Sequence, residues 1–593
     1  MEHLDVARFF PRNRYSAMLG TQKTASNFIK ESVASIFALE CPTGTGKTAI
    51  GYSYLKAMLA SGVKQPFYLV PNKTLAEQVK SLHPDVHAVY GRNEHPCLFY
   101  PGENLKADEI PCSLLQECPH RVNQETGETK EPGAERCPYL QQKYEAKQSG
   151  GITVATHAFY LYSVFFAKEF EPGAVVVDEA HGIAKAIRSV LEFHITDWNL
   201  ARMVELLGSI LSSQAEVLDH FRKRMIAIIK AKEASKKTIL EAEEIRELLD
   251  LTNAIDTRAV DAEIRAAIEV GLIDRKKDRL ALKQLEILGR DLRMYMRSFE
   301  FALPTEVRHP LNFTFAFWRQ ELEEGKRVQY ELVVKSYYVA PLVKKMLPKN
   351  VLAYSATIGN ADIFSHETGI KGDFLSLPST FSSLNTRIFM PTDTPNLSVK
   401  ERNRRDKTKS LRMIAKACKT FSRKSIRSLV VVASNEERKK FLELVAEEGV
   451  KALSYGEGVT PRACARQFRE GEGDVLVGTD SNYGEGVDLP KGIAPVIFYY
   501  RPSYPRPDDP ATVFEERRFG NQRWHVWNWR VIIGLLQVRG RNIRSVEDVG
   551  VTFLISQQFR RFAFGSLPEW LKPAYVGGKT FEECVKETVK MLS

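Results

Sequence analysis

At 593 residues, 44% of them hydrophobic, the chain can bury several cores, and length alone suggests about four folding units. No apolar run reaches the length of a membrane span, and Glu2 and Asp5 stand where a signal peptide carries cations, so a cytosolic protein is expected, or a nuclear one if the source has a nucleus. A net charge of +11 and a pI near 9.0 favour a polyanionic partner over a membrane.

In chain order, the first chemical signal is Cys41-Pro42-Thr43-Gly44-Thr45-Gly46-Lys47-Thr48. A glycine-rich loop opening a helix can wrap phosphate oxygens with its N–H groups, with Lys47 placed for the β/γ-phosphates and the Thr48 hydroxyl for Mg²⁺. Cys41 occupies a position where the strict pattern has Gly. The loop's counterpart is Val175-Val176-Val177-Asp178-Glu179-Ala180-His181, an apolar run ending in acids. It predicts a buried parallel strand that delivers Asp178 to the metal and Glu179 to the attacking water of a nucleoside triphosphatase.

Between these halves lie Cys97, Cys112, Cys118 and Cys137, spaced C-x14-C-x5-C-x18-C, while the other four cysteines are scattered singly. A reducing compartment disfavours disulfides. The wide, uneven gaps lack the paired C-x2-C knuckles of structural zinc sites, which favours a four-thiolate iron–sulfur cluster while leaving zinc and unligated thiols open.

Strand-length apolar runs recur in two sets, each alternating with helical patterns: 67–70, 152–155, 174–177 and 351–354, then 429–433, 475–477, 496–500 and 549–555. That alternation predicts two doubly wound parallel sheets, with ligands beyond the strand carboxyl ends. From Gly173 to Leu303 there is no proline, and Leu285, Leu288, Leu292 and Tyr295 keep three-and-four spacing, so an amphipathic helical insertion is expected there. A basic run between Lys400 and Arg427 reads first as a solvated face and second as a DNA contact. Trp524, Trp527 and Trp529 read as core packing ahead of base stacking. His157 reads as structural. In Gln537-Val538-Arg539-Gly540-Arg541-Asn542-Ile543-Arg544, Arg541 and Arg544 project from one side of a helix, where fixed guanidinium groups can stabilise charge developing on a γ-phosphate.

Together these segments resemble those of the XPD/DinG-type superfamily 2 DNA helicases, almost end to end. Gly91-Arg92 before Cys97 and Cys137-Pro138-Tyr139 resemble the borders of that family's [4Fe–4S] module. Val70-Pro71-Asn72-Lys73-Thr74-Leu75 with Gln78 resembles its first DNA-contacting motif, and Tyr354-Ser355-Ala356-Thr357 its SAT motif. Gly478-Thr479-Asp480 through Gly484-Glu485-Gly486-Val487-Asp488 resembles motif V, and 537–544 motif VI. Two departures stand out: Gln22 does not keep the usual spacing of the adenine-contacting glutamine, and Ser556-Gln557-Gln558 replaces a common Asp-x-Arg.

The resemblance implies RecA-like domain 1 over 1–90, 146–200 and 341–385, interrupted by an iron–sulfur module at 91–145 and a helical arch at 201–340, with RecA-like domain 2 over 386–593. It implies ATP and Mg²⁺ bound by Thr43, Gly44, Thr45, Gly46, Lys47 and Thr48, with Asp178 orienting the ion and Glu179 the water. Gly484 and Asp488 would add to the nucleotide site. Arg541 and Arg544 would arrive from domain 2, and His181, Gln537, Ser355 and Thr357 would couple closure to DNA. The expected activity is ATP-driven translocation on single-stranded DNA and unwinding of forked duplex, 5′ to 3′, by a monomer. A DNA-dependent ATPase that remodels nucleoprotein without separating strands would share these motifs, and a non-enzymatic DNA-binding scaffold is a third reading. Protein partners and pathway are not specified by these motifs.

Overall fold

The computed structural model describes residues 4–593 apart from 101, 103, 113–116, 275–276, 303–314, 323–327, 381, 399–403, 457, 484–488, 490–491, 506–508 and 541–547. Strands β1 (Ile36–Glu40), β2 (Phe67–Val70), β3 (His87–Ala88), β4 (Thr153–Thr156) and β5 (Ala174–Asp178) begin the first domain. An insertion carries β6 (Phe193–Thr196), β7 (Phe315–Leu322) and β8 (Val328–Lys335), after which β9 (Asn350–Ser355) and β10 (Asp373–Ser376) return to the first domain. These form a parallel seven-stranded sheet of order β10-β1-β9-β5-β2-β4-β3.

The second domain comprises β11 (Thr386–Met390), β12 (Ser428–Val432), β13 (Ala452–Ser454), β14 (Val475–Thr479), β15 (Val496–Tyr499), β16 (Gly550–Leu554) and β17 (Tyr575–Gly577). It is again parallel, of order β13-β14-β12-β15-β16-β11-β17. Both sheets are covered on two faces, which is why their central strands are largely apolar. In the first, Phe37, Leu39, Tyr68, Val176 and Leu352 fill one face, and Ala38, Leu69, Val175, Val177 and Ala353 fill the other. The fold is α/β, with two RecA-like sheets.

The insertion is not purely helical. Helices Asp197–Gly208, Ser212–Ala234, Ala242–Asn253, Thr257–Glu269 and Arg279–Ala302 pack beside a three-stranded antiparallel sheet of order β6-β8-β7. Leu218, Phe221, Leu248 and Ile264 share one core with Leu332 and Val334 of β8. The boundaries expected at 201 and 340 therefore move: β6 and the whole of helix 197–208 belong to the insertion, and β8 ends at Lys335. The alternating segment Val328–Lys335 is a strand because antiparallel pairing on both sides satisfies it.

One helix ties the two domains together. Helix Arg523–Arg539 turns Val531, Ile532, Leu535 and Leu536 into the second core, and Trp529 and Ile533 into the first. Beside it, Glu367 of the first domain is 2.9 Å from Arg530 and 3.6 Å from Arg188, and Arg530 reaches Glu515 at 2.6 Å.

Candidate functional site

The phosphate-loop geometry follows from its glycines. Gly44 and Gly46 take φ of 87° and 74°, which L-residues with a Cβ avoid. A Cβ on Gly46 would also lie 2.1 Å from Gln22 Nε2, which donates to Gly46 O at 3.2 Å. Gln22 is buried and its Oε1 accepts from Leu19 N at 2.8 Å, so it braces the loop despite its unusual spacing. Helix Lys47–Ala60 starts at once, turning its free N–H groups and positive dipole end towards the loop.

Strand β5 ends on Asp178, and the chain turns at the next residue, Glu179, whose φ of 48° is a left-handed conformation that is costly for a residue other than glycine. That turn brings the Glu179 carboxylate onto the Lys47 ammonium, with Asp178 Oδ1 3.8 Å from Lys47 Nζ. Asp178 Oδ1 also accepts the Glu179 N–H at 2.8 Å. Burial acts to lower the Lys47 ammonium, but Glu179 and Asp178 outweigh it and hold the group above its ordinary value. Burial raises the Asp178 carboxyl above its ordinary range. Burial acts the same way on Glu179, but the Lys47 ammonium outweighs it and, with the hydrogen bond from Ser355, keeps that carboxylate low.

A relay runs from this pair to the second domain. Ser355 Oγ donates to Glu179 Oε2 at 3.3 Å and is 2.7 Å from His181 Nδ1, while Gln537 Nε2 is 2.6 Å from His181 Nε2. Because the Gln537 amide nitrogen can only donate, His181 Nε2 accepts and the imidazole proton sits on Nδ1, facing Ser355. Thr357 N donates to Ser355 Oγ at 3.1 Å, closing the SAT turn.

Sequence reasoning missed Glu40. This buried carboxylate at the end of β1 accepts from Ile358 N at 3.1 Å, Gly359 N at 2.7 Å and Ser376 Oγ at 2.6 Å. On the other side of the same turn, Trp529 Nε1 donates to Ile358 O at 2.8 Å. An acid just before the phosphate loop was the available signal, but nothing local identified its partners.

The structure brings together Lys47, Asp178, Glu179, His181, Ser355, Thr357 and Gln537, with Thr43 and Thr45 on the adjoining loop and Thr48 in the first turn of the helix that follows it. Arg541, Arg544, Gly484 and Asp488 lie outside the described residues. Of the expected DNA-contacting motif, Asn72 caps helix Lys73–Leu82, leaving Lys73, Thr74 and Gln78 exposed. The basic run forms helix Arg404–Ser422, where Arg412 and Lys419 pair with Glu447 and Glu448 of the next helix, 3.0 and 2.9 Å away. Trp527 and Trp529 are core residues, as expected, whereas Trp524 is 44% exposed. His157 is buried, and burial pulls its imidazole down to about 4, so it is neutral at pH 7.

In the cysteine module, Arg92 donates to Ala107 O at 2.6 Å and Ile110 O at 2.8 Å, holding the segment between Cys97 and Cys112. All four thiols are free, and the thiols of Cys112 and Cys118 each feel those of Cys97 and Cys137 electrostatically. Burial raises the Cys97 and Cys118 thiols above their ordinary value, while the N–H groups of Phe99 and Tyr100 at the Cys97 sulfur and of His120 at Cys118 act the other way, towards thiolate. Among the described residues, no three His, Cys, Asp or Glu side chains close on a common metal position. The donor chemistry suits thiolate ligation, and the insertion lies against this module: Lys283 Nζ is 3.4 Å from Ile110 O. No described helix is long and apolar enough to cross a membrane.

Comparisons with known proteins agree with this layout. The helicase C-terminal domain family matches residues 410–574, and the family described as type III restriction enzyme, res subunit, matches 17–226. A solved XPD helicase is 14% identical with a TM-score of 0.60, over 95% of this chain and 100% of its own. S. tokodaii Xpd4 is 11% identical with a TM-score of 0.54, over 95% and 99%. A structure described as apo XPD is 15% identical with a TM-score of 0.52, over 96% and 100%. At these identities the structures show a shared fold. No curated protein matches by sequence.

Proposed function

We propose, for a chain that is an XPD/DinG-type superfamily 2 helicase and an ATP hydrolase, that it translocates along single-stranded DNA and separates forked duplex ahead of it, 5′ to 3′ as its family resemblance implies. The observation that carries this reading is the relay from Gln537 on the interdomain helix through His181 and Ser355 to Glu179. A helix packed into both cores cannot shift without disturbing the carboxylate beside the phosphate loop.

Lys47 and the loop N–H groups hold the phosphates, and Thr48 and Asp178 would hold Mg²⁺. The incoming phosphates compete for the Lys47 ammonium, which frees Glu179 to take a proton from water. The water oxygen bonds to the γ-phosphorus, the bond to the β,γ-bridging oxygen breaks, and ADP and phosphate leave. Arg541 and Arg544 stabilise the charge that develops. Cycles of closing and opening alter the spacing between two grips on the strand, one of which presents Lys73, Thr74 and Gln78.

Cys97, Cys112, Cys118 and Cys137 would hold a [4Fe–4S] cluster, which when bound supplies a rigid crosslink to the module. The module and the neighbouring insertion then serve as the wedge at the fork. This reading makes the protein a cytosolic or nuclear monomer acting on single-stranded and forked DNA. Strand displacement on a forked duplex tests it: wild type should release the labelled strand only with ATP and Mg²⁺, and Lys47→Ala should reduce DNA-stimulated ATP turnover at least about a hundredfold. ATP turnover without strand release would favour the translocase that remodels nucleoprotein.

A further inference from the structure

Motif VI leaves the position of Arg539 open, yet this arginine has an unusual setting. It sits on the last turn of the interdomain helix, 6% exposed. Its Nη2 donates to Thr386 Oγ1 at 2.5 Å, and its Nε has no hydrogen-bond partner among the described residues. No described carboxylate pairs with it, and burial pulls the guanidinium down to about 10. It remains charged at pH 7, so the fold keeps a buried cation at a cost that a counter-anion would offset.

The guanidinium lines a cavity of about 40 Å³ between the domains, whose other walls come from Thr43 of the phosphate loop and Thr357 of the SAT motif. Ser379, Ser382 and Thr386 add hydroxyls, and none of the described lining residues is a carboxylate. A second buried donor lines it too: Trp570 Nε1 also has no partner among the described residues. Two unmatched N–H donors, one of them cationic, in a hydroxyl-lined chamber beside a phosphate-binding loop are chemistry for an anionic oxygen.

We propose that this cavity receives a phosphate group, with Arg539 and the Trp570 indole N–H as its positioning donors. The proposal rests on the ATP-hydrolase reading. The phosphate has two sources, the γ-phosphate of bound ATP drawn in as the cleft shuts, or the phosphate ion leaving after hydrolysis.

The test uses the full chain and two variants, Arg539→Met and Arg539→Lys. DNA-stimulated turnover is measured against ATP and against added inorganic phosphate, and nucleotide and phosphate binding are followed by calorimetry. If the γ-phosphate is the ligand, Arg539→Met raises KM for ATP about tenfold and weakens ATP binding but not ADP binding. If the product ion is the ligand, the same variant weakens phosphate inhibition about tenfold and leaves KM for ATP in place. In either case Arg539→Lys, which keeps the cation, restores part of the effect. Wild-type ATP, ADP and phosphate responses in folded Arg539→Met would overturn the proposal, as would Arg539→Lys losing as much as Arg539→Met. Should Arg539→Met not fold, Arg539→Lys with unchanged responses to all three ligands overturns it equally. Wild-type protein without ATP turnover would instead defeat the underlying reading, while phosphate binding that Arg539→Met abolishes would still support the cavity.

Discussion

The side-chain amide of Gln537 donates to His181 Nε2 across 2.6 Å, joining the interdomain helix to the histidine that follows the two acids at the end of β5. His181 passes the connection to Ser355, and Ser355 to Glu179. The four side chains come from both domains, so the relay exists only when the cleft is shut to this separation.

Breaking that relay should separate DNA binding from ATP turnover. Gln537→Ala removes the donor and leaves the helix apolar face unchanged, so stability should shift little. Coupling contributions of this kind are about 0.5–2 kcal/mol, so DNA stimulation of ATP turnover should fall by about tenfold. Turnover would be measured at saturating single-stranded DNA and without it. An unchanged stimulation ratio would show that the contact carries no coupling.

How much of this could be read from the sequence depends on chain distance. The phosphate loop, the Asp178-Glu179 turn and the SAT segment are contiguous motifs whose backbone geometry is set by their own residues, and they were legible. Four strands of each seven-stranded sheet announced themselves as apolar runs. Those missed include β3, β13 and β17, of two or three residues, and β10, whose residues are all partly or fully exposed. β1 was hidden because Ile36–Glu40 ends on a buried acid whose partners, Ile358, Gly359 and Ser376, lie over three hundred residues away. The small sheet of the insertion was missed because two of its strands arrive only after about a hundred residues of helix. The fold of Gln22 onto Gly46 and of Trp529 onto Ile358 is likewise tertiary information.

The Glu367 cluster predicts an acid-sensitive domain interface. Burial acts to raise this carboxyl, but Arg530 and Arg188 outweigh it and hold it below its ordinary value. A group whose folded pKa is depressed stabilises the fold above its unfolded value, about 4.3, and the contribution is lost as pH falls through the lower folded value. Glu367→Ala leaves two buried guanidinium groups short of a partner and should cost about 3–5 kcal/mol at pH 7. Thermal unfolding of wild type and variant at pH 7 and at pH 3 measures both effects. The difference between the two proteins should shrink at the lower pH, and a difference that grows on acidification would contradict the assignment.

Binding to single-stranded DNA should weaken steeply with salt if phosphate contacts dominate. The slope of log affinity against log salt should be about −0.7 for each phosphate neutralised. Lys73 is one exposed cation of the expected grip, although it shares Glu77 and Glu94. Lys73→Ala should therefore make the slope shallower by less than one full contact. Fluorescence anisotropy over a salt series measures both quantities, and a flat response in wild type would favour the scaffold reading over the motor.

The cysteine module offers a prediction that separates iron from zinc and both from unligated thiols. Cys112 is exposed, and its thiol is in electrostatic range of Cys97, Cys137 and Glu286, the last from the long helix of the insertion. A cluster fixed there would brace the module against the insertion, away from Lys47 and Glu179. Protein purified without oxygen should be brown, with broad visible absorption and about four irons per chain, whereas a zinc protein would be colourless. Cys112→Ser should lose the colour and the ability to displace a strand while ATP turnover falls much less, because no described residue of the module pairs with Lys47, Asp178 or Glu179. Stoichiometric zinc without iron would overturn the choice of metal, and full strand displacement by a metal-free Cys112→Ser protein would remove the module from strand separation.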